Sequence, residues 1–225
     1  LALLPCAARL LKSEKGRKDQ QDSIVTTAAP AGTKRFLVMA WIANPFSYVA
    51  INTVIPLIPS IADKLYLSTG MAGIVCSLWM FVRLAAFVVF WQWEGWHYRF
   101  RWLVASFLLM IVCFFALLMT QSILLLLAAQ LGFGLAIGLI YYSSLYYSLN
   151  VAEKQAANAG LHEAMIGTGL FAGPACGAAA LYLAPAAAGI GAWSVGGLLC
   201  IGFSALLVTR YRRQQNGQRT VSGRD

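Results

Sequence analysis

The sequence predicts an all-α membrane protein with six transmembrane helices, and three observations carry that reading. Sixty per cent of the 225 residues are hydrophobic and 11% are charged, where a soluble domain carries about 25% charged residues. Six apolar runs can be marked off, at 36–61, 67–93, 102–120, 122–149, 157–183 and 186–209. Each is long enough for a helix rising 1.5 Å per residue to cross an apolar layer about 30 Å thick. The third observation is the placement of positive charge. Seven basic residues precede the first run (Arg9, Lys12, Lys15, Arg17, Lys18, Lys34, Arg35), and two, Arg99 and Arg101, lie between the second and third. Lys154 lies between the fourth and fifth, and five follow the sixth (Arg210, Arg212, Arg213, Arg219, Arg224). On the other side stands Lys64 alone, and Arg83 falls inside a run. Cytoplasmic loops carry the excess of Lys and Arg, so both termini are expected in the cytoplasm, with the chain integral to the plasma (inner) membrane. The net charge of +9 then reads as a topology signal touching anionic headgroups, not as a nucleic-acid arm.

Taken in order, residues 1–11, LALLPCAARLL, read as the end of a preceding transmembrane helix, so that the chain is expected to be the back part of a longer protein. Residues 12–35 are polar and poor in large apolar groups, unable to bury enough surface to fold alone, and read as a cytoplasmic linker. Residues 36–209 form the six-helix domain, with tight turns that make successive helices antiparallel neighbours. Residues 210–225 read as a basic cytoplasmic tail. Trp91, Trp93, Trp96, Tyr98 and Trp102 cluster at the cytoplasmic interface and Tyr66 at the outer one, where aromatic belts form. Five cysteines are scattered singly, with no CxxC pair and no His at metal-ligand spacing, so neither metal nor cofactor is expected.

In the first span Asn44, Tyr48 and Asn52 recur every four positions, a polar stripe that either glues helices or lines a wet cavity. Pro45 and Pro56 suit a bent helix beside a path. In the fourth span Gly134, Gly138, Tyr142 and Tyr146 share one face, with Tyr141, Ser144 and Ser148 beside it. Tyrosines offer an apolar wall with a hydrogen-bonding tip to an amphipathic solute. For Tyr146 and Tyr147 an interfacial belt is the competing reading. Arg83 is the one basic residue well inside a span, which marks it as functional with a partner facing the interior, as a gate or a substrate-anion contact in the cavity. His162 and Glu163 are candidates for that partnership and for a gate, with Glu163 either a proton carrier or a solvated acid near a helix start. In the fifth span, GTGLFAGPACGAAA aligns Gly169, Gly173 and Gly177 as a groove for close helix packing, with Pro174 bending the helix.

Taken together, these features resemble the C-terminal six-helix half of a major facilitator superfamily transporter. The polar linker leads into six short-looped helices with both ends inside. Gly169-x-x-x-Gly173-Pro174-x-x-Gly177 is similar to the family's GxxxGPxxGG signature, with Ala178 in place of the last Gly. The loop WEGWHYRFR stands at the place of the family's charged cytoplasmic loop, where Glu94, Arg99 and Arg101 match its charge pattern; Phe90 and Gly95 depart from it. The Gly-rich, then Tyr-rich fourth span is likewise similar to many members. The resemblance implies two such halves around a central cavity, rocking to expose a midplane site to either side. Spans one, two, four and five would face the cavity, and spans three and six the lipid. It also implies a latch made by Glu94, Arg99 and Arg101, an N-terminal six-helix half as partner, and a small organic solute moved with a coupling proton. A non-transporting sensor or scaffold on the same fold is the alternative. An enzyme is not expected: His162–Glu163 resembles the start of a metalloprotease helix, but the second His position is Ile166.

Overall fold

Hydropathy alone places the helices, and the computed structural model, which describes residues 33–150, 155–187 and 189–222, contains six helices long and apolar enough to cross a membrane. They are α1, Thr33–Lys64; α2, Thr69–Gln92; α3, Phe100–Met119; α4, Ile123–Asn150; α5, Gln155–Leu183; and α6, Ile190–Ser222. The segment 1–11, the linker as far as residue 32, Lys154 and Arg224 lie outside the described residues. Helix α1 starts inside the linker's expected span, and α6 continues past 209 through Ser222.

Short turns alternate the helix directions. Lys34, Arg35, Glu94, Arg99, Arg101 and Arg210 therefore gather at one end of the bundle, and Asp63 and Lys64 at the other. Helices α1 and α4 form the centre. Helix α1 packs along α5 as α4 packs along α2, and α3 lies on α4 as α6 lies on α1. The α1–α4 and α3–α6 contacts map onto themselves when the triplet α1–α2–α3 is exchanged with α4–α5–α6. Because α1 and α4 run in opposite senses, the exchange is an inverted one.

Glycine pairs let the backbones close in. A Cβ on Gly134 would stand 2.5 Å from the Trp79 carbonyl oxygen, and one on Gly138 2.8 Å from Ala86 Cβ, so α4 meets α2 there. Gly169 and Gly173 do the same for α5 on α1, against Pro45 and Val49. The third glycine turns elsewhere: Gly177 faces Gly191 of α6, so the expected single groove is shared between two neighbours. Pro174 is exposed and α5 runs on through it.

Helix α2 is broken at Ser77 into Thr69–Cys76 and Leu78–Gln92. Ser77 Oγ donates back to the Gly73 carbonyl at 2.7 Å, a contact that bends helices. The interrupted pair, the Val75 carbonyl and the Trp79 N–H, is bridged from α4. Gln130 Nε2 donates to Val75 at 2.7 Å, and Gln130 Oε1 accepts from Trp79 at 3.4 Å. Gln130 is 1% exposed, so no water stands ready to replace it. Gln130→Leu leaves both backbone groups without that bridge, and each buried orphan costs about 1–3 kcal/mol. We expect unfolding in mixed micelles to show a loss of about 2 kcal/mol, from one well-paired group and one weaker one. An unchanged midpoint would mean that the helix re-closes its own ladder.

Candidate functional site

Four helices bring polar or aromatic side chains to one place. Arg83 of α2 donates from Nη2 to the Tyr48 hydroxyl of α1 at 3.0 Å. Its guanidinium carbon lies 4.9 Å from the ring centre of Tyr141 on α4 and 5.5 Å from those of Tyr48 and Phe87. Phe87, one turn after Arg83, stacks on Tyr141 with centroids 5.4 Å apart. Aromatic faces attract cations, so the three rings hold the guanidinium in a cage. The edge of Tyr141 continues the chain to His162 of α5, at 5.2 Å between rings. His162 is 1% exposed, and its Nδ1 stands 2.8 Å from Ser144 Oγ.

The cluster is underserved in hydrogen bonds. Among the described residues, Arg83 Nε and His162 Nε2 are buried without partners. A buried polar atom left alone is costly, so native sites where several gather call for an explanation. Tyr48, Arg83, Phe87 and Tyr141 are themselves only half-buried, so the cage is not sealed inside the bundle.

Other residues of the expected site go elsewhere. Asn44 has no exposed surface and neither of its amide atoms finds a partner among the described residues, so it does not line an open cavity. It sits in central α1, which is packed by neighbours on most sides. Asn52 is half-buried and donates to the Tyr48 carbonyl of its own helix. Tyr142 lies between Phe87 and Trp96, with ring centres 6.2 and 5.7 Å away. Tyr146 belongs to an aromatic pack at the end of the bundle, 5.2 Å from Trp96 and stacked on His97 at 4.2 Å. Glu163 is exposed and makes no ion pair with Arg83, though it stays near enough to Tyr141 and His162 for its charge to act on both.

The expected latch is not drawn together. Among the described residues no ion pair joins Glu94 to Arg99 or Arg101, and Arg101 instead lies 5.8 Å from the Trp102 ring centre. The reason is the insertion of Trp96, 2% exposed, beneath the loop, which turns Glu94 and Arg99 outward. Tyr98 then adopts a left-handed φ of 54°, its N–H held by the Tyr147 hydroxyl at 2.9 Å. Burial pushes the His97 imidazole below its ordinary range, against an upward pull from Glu94.

Sequence reasoning passed over Phe87 and gave Tyr141 and Ser144 second place. One signal was present: Phe87 is four residues after Arg83, on the same face of a helix. No family model, curated protein or solved structure matches the chain.

Proposed function

We propose that this chain is one six-helix half of a secondary transporter of the major facilitator type. In this reading it crosses the plasma (inner) membrane with its basic end in the cytoplasm and moves a small organic solute by alternating access, with a coupling proton. The observation that carries the reading is the convergence of Tyr48, Arg83, Tyr141 and His162 from α1, α2, α4 and α5. Those are the four helices that the family likeness assigns to the cavity. The inverted exchange of triplets supports it, since transporter halves of this type are built from two inverted three-helix repeats. So does an Arg within a span, where a charge faces a bundle interior or a wet cavity. The other half of the cavity would come from a second six-helix unit.

The test is solute counterflow in proteoliposomes holding the full-length protein, with Tyr141→Ala alongside. Removing the ring that joins Arg83 to His162 should slow exchange at least about tenfold, the size of a lost contact worth some 1.4 kcal/mol, while the protein still elutes as a single species. A wild-type protein that moves no solute of any charge class would favour a sensor or scaffold on the same fold.

A further inference from the structure

Among the described residues the cation at the centre of the site has no anion paired with it. A guanidinium stays protonated and offers five N–H donors. Among the described residues only the Tyr48 hydroxyl accepts from Arg83, and its Nε has no partner. The described acids are Asp63, Glu94 and Glu163. Asp63 is in the last turn of α1 at the opposite end of the bundle, Glu94 lies in the loop after α2, and Glu163 is exposed, near enough to Tyr141 and His162 for its charge to act on both; none pairs with Arg83. The rings of Tyr48, Phe87 and Tyr141 lower the cost of the charge by cation–π attraction but supply no countercharge. The His162 ring, on the far side of Tyr141, is directed to Ser144.

We propose that Arg83 binds the carboxylate of a small organic monoanion whose apolar body packs against Tyr48, Phe87 and Tyr141. The guanidinium fork matches a carboxylate in a two-point contact. Charge sets the class: one cation in an apolar cage neutralises a monoanion, whereas a dianionic phosphate or sulfate would leave a net negative charge facing three aromatic walls. The walls set the body, because they offer three ring faces and two hydroxyls, of which that of Tyr48 is already engaged by Arg83. That this anion is cargo rests on the transport reading; that it binds does not.

The experiment uses the full-length protein in detergent and three pairs of probes that differ in charge alone: acetate and acetamide, lactate and lactamide, benzoate and benzamide. Binding is followed by calorimetry and by the shift in melting temperature. For at least one pair the carboxylate should bind tenfold or more tightly than its amide, and benzoate should exceed acetate. Arg83→Gln should make the pair equal, and Arg83→Lys should keep a reduced preference. The proposal is overturned if the wild type prefers no carboxylate to its amide, if inorganic phosphate binds more tightly than every carboxylate, or if the preference survives Arg83→Gln. The wild-type comparison decides the matter even where a variant does not fold. Counterflow separates the two readings. Anion-selective binding without exchange removes the transporter and keeps the site, while exchange of neutral solutes without anion preference removes the site and keeps the transporter.

Discussion

Gly169→Leu yields little folded protein. A Cβ at this position would press on the carbonyl oxygen of Pro45 and come within 2.8 Å of Tyr48 Cβ. The oxygen is backbone and the Cβ is the root of its side chain, so no rotamer change gives relief. The α5 helix must move off α1, and with it go the seat of Tyr48 and the bond from Arg83. Overpacking of a tight core costs about 1–3 kcal/mol. Here the rest of the leucine side chain follows the Cβ into the same space, so a loss of about 3 kcal/mol or more is expected. The same helix supplies its own control, because a Cβ on Gly167 meets nothing within 4 Å. Gly167→Leu should extract from the membrane and unfold like the wild type. Equal stability of the two variants would show that α5 does not pack on α1 through this row.

The helices were legible because crossing an apolar layer depends on a property of consecutive residues. The break in α2 was not. The stretch from Val75 to Trp79 holds no Pro or Gly, and the side chain that bridges the gap, Gln130, lies 51 residues from Trp79. Periodicity sees only one helix at a time. It likewise found a tyrosine face on α4 without telling which tyrosine would meet Arg83. The stripe through Gly134, Gly138, Tyr142 and Tyr146 is the face that packs on α2 and the loop beyond it, as the close approaches of both glycines to α2 require. Tyr141 is turned by about 100° from Tyr142, and that turn carries it to Arg83 and His162. Arg83 itself was legible, since a charge in a span announces itself in any register. Its cage was not, because the rings come from three helices.

Trp96→Ala should be the most damaging change outside the helix contacts. The indole is 2% exposed, its Nε1 donates to the Phe90 carbonyl at 3.1 Å, and its ring meets those of Phe90, Tyr142, Tyr146 and Tyr147 within 6.4 Å. Truncating a buried Trp costs about 3–5 kcal/mol, through lost contacts and the cavity left behind. The loss falls on the junction that ties the end of α2 to the end of α4. Arg83 rides on α2 and Tyr141 on α4, so loosening that junction should also degrade the cage, and on the proposed transport reading reduce solute exchange. Trp93, three residues earlier, is 41% exposed and meets Trp102 edge to face at 4.9 Å. An aromatic pair of that kind contributes about 0.5–1.5 kcal/mol, so Trp93→Ala should lower the unfolding midpoint far less. If the two substitutions cost the same, Trp96 is not the pin of this loop, and the outward turn of Glu94 and Arg99 needs another cause.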